Sequence, residues 1–181
     1  VRTAFVWAIE HDDQAALLLA AALLKWSFRL GSYSEGTRVI DEVLALPGAA
    51  APTIPRAKTL IQAAYRFMLG NTDAKEAQAF AEEALALSRR LGYAKGEADA
   101  LVILGRIVHR RLNDPDAARR LFAEALVCYR TLNSTGGIAY ALAQLGDIAL
   151  DQGDFPRARA LAEECRETAR RGGFAYPWPL T

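Results

Sequence analysis

The stretch LGYAKGEADALVILG, residues 91–105, returns about 41 positions later as LNSTGGIAYALAQLG, residues 132–146, and self-similarity at that period marks a repeat architecture. Leu91, Gly96, Ala98, Ala100, Leu101, Leu104 and Gly105 recur as Leu132, Gly137, Ala139, Ala141, Leu142, Leu145 and Gly146. In both copies the apolar residues fall at helical spacing. A single such helix leaves its apolar face uncovered, so the repeat has to be a pair of helices that stacks on its neighbours.

Thr135 to Asp151 reads as the first helix of a hairpin (helix A), Gln152-Gly153-Asp154 as the break, and Phe155-Pro156 as the start of the second (helix B), because Pro is tolerated in a first helical turn. One repeat earlier, Ala94 to Leu112 and Pro115 to Leu132 follow the same plan around Asn113-Asp114. Pro55 to Leu69 and Asp73 to Leu91 repeat it around Gly70-Asn71. The first repeat is the most diverged, with Asp13 to Leu30, a turn at Gly31-Ser32, and Tyr33 to Leu46. The expected organisation is one helical-repeat domain over 1–181. It comprises the end of a linker helix (1–10), repeats at 11–46, 55–92, 93–133 and 134–172, a loop at 47–54 and a tail at 173–181. The loop, with its Pro, Gly and Ala residues, is expected to be the most mobile segment.

Glycine within a helix costs about 1 kcal/mol relative to alanine, so Gly105 and Gly146, with Ala64 at the same place in the second repeat, need a reason. Close approach of helix A to helix B supplies one, with Ala77, Ala118 and Ala158 as the expected small partners. This small-residue seam resembles the tetratricopeptide repeat, and the fold expected from it is an all-α, α-α superhelix of about four hairpins. The run from Leu91 to Gly105, followed by FAEAL at 122–126 and preceded by AEEAL at 81–85, resembles the longer repeats of bacterial STAND-class signal-transduction ATPases, including LuxR-type and SARP-type transcription regulators. The opening VRTAFVWAIE looks like the helix that joins their ATPase module to the repeats. That resemblance implies a non-catalytic, cytoplasmic interaction or effector-sensing segment of a larger regulator. Three places depart from the pattern: Asn133-Ser134 stands where Gly-Asp is usual, Gly172-Gly173 ends the fourth repeat early, and Ala64 replaces the helix-A glycine.

Composition narrows the function further. The chain has 181 residues, 52% of them hydrophobic and 24% charged, with a net charge of +1. That is enough apolar material for a continuous interior, and too little positive charge to favour a nucleic-acid partner. Ala15 to Leu24 is too short and too interrupted to span a bilayer. Cys128 and Cys165 lie in helical pattern without metal-ligand spacing and read as small buried hydrophobes of a reducing compartment. No G-x-x-x-x-G-K-[ST] phosphate loop is present. His109 has no carboxylate or Cys at ligand spacing, so neither metal nor cofactor is expected. Glu82-Glu83 and Glu163-Glu164 recur on helix B as exterior charges rather than an acid-base pair. The missing initiator Met and the helical opening lead us to expect a segment of a longer protein.

A partner would lie along the wall of A helices. The positions expected to face it are Lys58, Ile61, Tyr65 and Met68 in the second repeat, Asp99, Val102, Arg106, His109 and Arg110 in the third, and Tyr140, Ala143, Asp147 and Asp151 in the fourth. They run from apolar and aromatic through basic to acidic, which suits a peptide or a small amphipathic effector. The plainer reading is a solvated face in which Arg106, His109, Arg110 and Arg111 pair with Asp147 and Asp151. Trp26 and Phe28 are expected to fill the core of the diverged repeat. Phe174, Tyr176 and Trp178 should fold back over the last hairpin or engage a neighbour. Neither end carries a polar capping helix, so self-association through apolar ends is a further expectation.

Overall fold

The computed structural model describes residues 2–30, 33–66 and 73–173. Both short turns Gly31-Ser32 and Gly70-Asn71, Met68, the aromatic tail from Phe174, and the side chains of Trp26 and Phe28 lie outside the described residues. Every regular element among the described residues is helical: α1 Arg2–His11, α2 Asp13–Leu30, α3 Tyr33–Leu44, α4 Ile54–Tyr65, α5 Ala74–Arg90, α6 Ala94–Ile107, α7 Pro115–Thr131, α8 Thr135–Asp151 and α9 Phe155–Arg171. A short 3-10 turn at Pro47–Ala50 precedes α4, and a π turn at Val108–Leu112 prolongs α6.

Local chemistry sets these boundaries. Side chains of Thr53, Asp73, Asp114 and Asp154 accept a backbone N–H from the first turns of α4, α5, α7 and α9, which satisfies donors that a helix start leaves open. Asp12 does the same for α2, accepting from Gln14 and Ala15 N–H at 3.0 Å. After α7 the backbone turns left-handed at Asn133 (φ 51°), as it does after α5 at Gly92 (φ 64°). Asn tolerates this conformation better than most residues, so Asn133 serves as the stop in glycine's place. Ser134, where Asp is usual, makes no side-chain cap.

The chain divides into two compact units, residues 1–96 and 97–181. In the first, Phe5 and Ala8 of α1, Ala16, Leu17 and Ala20 of α2, Val39, Ile40 and Val43 of α3, and Ala63 of α4 form one apolar cluster. Thr59 is fully buried on α4 and donates to the Leu17 carbonyl of α2 at 2.8 Å. The connector expected to be loosest is instead tied down. Ala49 is buried in the same cluster, Gly48 N–H donates to Asp13 Oδ2 at 2.5 Å, and Gln14 Nε2 donates to the Gly48 carbonyl at 2.9 Å. Thr53 Oγ1 donates to Gln14 Oε1 at 2.5 Å, and Arg56 Nη1 to the Ala49 carbonyl at 2.6 Å. A connector with this many bonded backbone groups is a brace rather than a free loop.

In the second unit α6 packs on α7, and α8 on α7 and α9. The seam between α6 and α7 corrects the expected small-on-small contact. A Cβ at Gly105 would lie 2.9 Å from Cε1 and Cζ of Phe122, and Phe122 is fully buried. The partner of the glycine is thus a large aromatic ring, and Ala118, though also buried, is not the nearest group. At Gly146 the nearest atom to such a Cβ is Leu161 Cβ at 3.9 Å, an ordinary contact. Ala162 stands in α9 where Phe122 stands in α7, which explains the extra room. Gly137 lies against the ring of Tyr129, leaving no space for a side chain.

Only Ala158, Cys165 and Ala169 of α9 are buried, and most of its exposed positions are charged. Phe155 at its start is nonetheless exposed, and the aromatic tail that follows α9 lies outside the described residues. Exposed apolar side chains do occur on α1, at Val6 and Trp7, where Trp7 stacks on His11.

The two interior glycines should separate in denaturant titrations. Gly105→Ala forces its methyl into a ring with nowhere to retreat and is expected to lower stability by about 1–2 kcal/mol, net of improved helix propensity. Gly146→Ala has space and should raise stability by up to about 1 kcal/mol. Equal effects at both positions would contradict the seam described here.

Candidate functional site

Within the second unit, α6 with its π turn and α8 run side by side, and polar side chains meet between them. Arg106, in the last turn of α6, donates from Nη1 to the Tyr140 hydroxyl at 2.5 Å. His109 Nε2, in the π turn, lies 3.0 Å from Asp151 Oδ2 at the end of α8. Gln144, almost fully buried on α8, reaches Asp147 Oδ2 at 3.4 Å through its Nε2. Beside the Arg106–Tyr140 bond opens a cleft of about 430 Å³ lined by His109, Arg110, Asn113, Gln144, Asp147, Leu150 and Asp151.

Burial raises the pKa of Asp147 above the usual carboxylate range, and the neighbouring Asp151 pushes it the same way, against the opposing pull of His109, Arg110 and Arg106. Like charges four apart on one helix repel, and His109 makes its close contact with the outer one, Asp151. Arg110 is exposed and makes no hydrogen bond or ion pair among the described residues. The cleft therefore holds an exposed guanidinium on its α6 side that acts on Asp147 through charge alone, and a half-buried carboxylate without an ion pair of its own on its α8 side.

The other expected positions fall elsewhere. Asp99 accepts a hydrogen bond from the Tyr129 hydroxyl of α7 at 2.7 Å. Burial, then Asp99, drives the Tyr129 pKa upward, which keeps its hydroxyl a donor. Val102 and Ala143 are buried and contribute packing rather than open surface. In the first unit Ile61 is buried, Tyr65 is half-buried, and the Lys58 ammonium sits 5.8 Å from the Tyr93 ring centroid, at cation–π distance. A second cleft there, lined in part by Arg56, Glu83 and Arg90, has its central charges already satisfied, since Arg56 Nη2 pairs with Glu83 Oε1 at 2.6 Å.

The expected pairing of Arg106 with an aspartate is replaced by its bond to Tyr140, whereas His109 does meet Asp151. Sequence reasoning passed over Asn113, Gln144 and Leu150, which help line the cleft. Gln144 was the readable signal, an amide alone inside the apolar run of α8. Among the described residues no group of three or more His, Cys, Asp or Glu side chains could hold a metal ion. No described helix is long and apolar enough to cross a membrane.

This arrangement of paired helices, with glycines at the seams, has counterparts among known proteins. Residues 99–136 and 138–172 match the tetratricopeptide repeat family. Among solved structures, BtubC (BKLC) from P. vanneervenii superposes with a TM-score of 0.73 at 18% identity, covering 94% of this chain and 69% of that one. Nearly identical TPR-like repeats of a protein assigned as a kinesin light chain from Podosopora anserina give a TM-score of 0.65 at 16% identity, covering 88% of this chain and 77% of that one. At such identities the likeness is one of fold, and it places the chain in the all-α, TPR-like solenoid class. No curated protein matches it in sequence. A tetratricopeptide-type fold is consistent with a protein-interaction module.

The Asp147 shift gives a signed pH test. A carboxyl whose folded pKa is raised favours the folded state below the ordinary carboxylate pKa of about 3.9, and that contribution is lost as pH rises through the raised value. Asp147→Asn removes the penalty of the buried charge. Its melting temperature should exceed that of the parent at neutral pH, and the gain should shrink as the pH falls towards 4. A gain that does not change with pH would show that the carboxyl is not strained.

Proposed function

We propose that this chain is a non-catalytic interaction module that engages a peptide segment of a partner protein at the cleft between α6 and α8. One observation carries the reading. Across that cleft the exposed guanidinium of Arg110 faces the half-buried carboxylate of Asp147, and the two attract through charge without a direct hydrogen bond, so a peptide can insert its own charges between them. A peptide with an acidic and a basic residue close together would satisfy both walls, and such a pairing fixes register and orientation more than it adds affinity. The cleft is open and mostly polar, whereas small-molecule sites are enclosed and predominantly apolar. A peptide therefore fits better than a small effector. Lys58, Tyr65, Asp99 and Tyr140 remain contributors to the proposed surface through their place on A helices, each within its own unit.

The wider setting belongs to the same proposal. The resemblance of residues 91–105 to repeats in STAND-class regulators, and of the opening helix to the one that joins their ATPase module to those repeats, supports a role in which binding shifts a larger bacterial signalling protein between two states. A ligand preferring one state by about 1–3 kcal/mol would suffice for such coupling. A passive scaffold that self-associates is the second reading, favoured by exposed Val6 and Trp7 on α1. Concentration-dependent light scattering on the chain and its Trp7→Ala variant distinguishes it.

A random peptide library displayed on phage, selected against the intact chain, tests the first reading. Enriched peptides, re-measured by fluorescence anisotropy, should bind Arg110→Ala and Asp147→Asn at least tenfold more weakly, about 1.4 kcal/mol. An unproductive selection, or peptides indifferent to both substitutions, would count against the cleft.

A further inference from the structure

The third repeat is one residue longer than the fourth at a single place. Gly105 and Gly146 are equivalent, as are the helix caps Asp114 and Asp154, yet nine positions separate the first pair and eight the second. The backbone shows where the extra residue goes. In the fourth repeat α8 closes with Asp154 N–H on the Ala149 carbonyl at 2.8 Å and a left-handed Gly153. In the third, Asp114 N–H reaches the equivalent carbonyl, that of Val108, at 3.4 Å, one residue further along the chain. Asn113 takes the left-handed place, and its N–H also bonds the Val108 carbonyl. The additional residue is absorbed by widening the last turn from α to π over Val108–Leu112. The second repeat shares the longer spacing, but its corresponding turn lies outside the described residues.

This widened turn carries His109 and Arg110 to the cleft. In the fourth repeat the positions matching them are Leu150 and Asp151, at the end of an ordinary helix. A π turn re-aims side chains by roughly the angle one residue adds, about 100°, and such turns recur at functional sites. We infer that the π turn Val108–Leu112 is the specificity-determining element of the α6–α8 cleft: it sets His109 against Asp151 and places the exposed Arg110 across the cleft from Asp147. The His109–Asp151 contact pins the turn to α8. The inference rests on the cleft being a peptide site and adds what shapes it, a length difference between repeats.

Deleting Leu112, an exposed residue, gives the third repeat the length of the fourth and lets α6 end as α8 does. The deletion chain should keep its helical circular-dichroism signal and cooperative melting, while affinity for a peptide enriched on the intact chain falls tenfold or more. Leu112→Ala, which keeps the length, should bind like the parent. A folded deletion chain that binds the peptide unchanged overturns the inference. Should the deletion not fold, Asp151→Asn tests the pin at full length. Amide hydrogen exchange at residues 108–112 should accelerate and peptide affinity fall together, and no change in either overturns the inference. The two failures are distinguishable, since a peptide insensitive to Asp147→Asn removes the cleft itself. One sensitive to Asp147→Asn but indifferent to the Leu112 deletion removes only the role of the turn.

Discussion

The contact of Gly105 with the Phe122 ring is the constraint from which the second unit follows. A fully buried phenylalanine contributes about 1.5–3 kcal/mol through apolar burial, but in this hairpin it can lie flat against α6 only if the facing residue has no Cβ. The volume lost at Gly105 is filled by Phe122. Equivalent seams need less: the residue matching Phe122 is Ala81 in α5 and Ala162 in α9, and the matching helix-A residues are Ala64 and Gly146. Side-chain volume is thus apportioned differently in each hairpin while the backbone plan is kept, as close-packed interiors demand.

The seam between α7 and α8 uses the same device with a polar addition. Gly137 leaves room for the Tyr129 ring, and the hydroxyl of that ring reaches Asp99 on α6. A buried tyrosine needs a partner for its O–H, so this bond links α6, α7 and α8 through one side chain. With the apolar seams fixed, the polar edges of α6 and α8 are brought together without further freedom. Arg106 falls on Tyr140 and His109 on Asp151, and Asp147 is left partly buried beside a charge of its own sign.

The first unit reaches stability by other means because its leading repeat has lost the small-residue pattern. A braced connector replaces a tight turn: Asp13, Gln14 and Arg56 hold Gly48 and Ala49 from either side. Arg66, almost wholly buried, pairs with exposed Asp41 at 2.7 Å. Truncating one partner of such a pair costs more than the pair itself contributes, since the remaining charge stays desolvated. Polar side chains here do what apolar repetition does in the second unit.

Helices α5, α7, α8 and α9 were legible almost to the residue, because their limits depend on local groups: a capping Asp, a first-turn Pro, a left-handed Gly or Asn. The all-α repeat class followed from the repeat period together with the small-residue seam that resembles the tetratricopeptide repeat. Arg106, His109, Arg110, Asp147 and Asp151 could be placed on A helices for the same reason. Their pairings could not be read, since a pairing depends on the rotation of one helix against another, and one residue of length turns a helix by about 100°. Which segments are helices and which faces are apolar can be read along the chain, since both are decided within a few residues. That Gly105 lies on Phe122 rather than Ala118, and that an extra residue becomes a π turn, emerges from the packed molecule. Both depend on how closely two distant helices approach, a balance of volumes that no single stretch of chain contains.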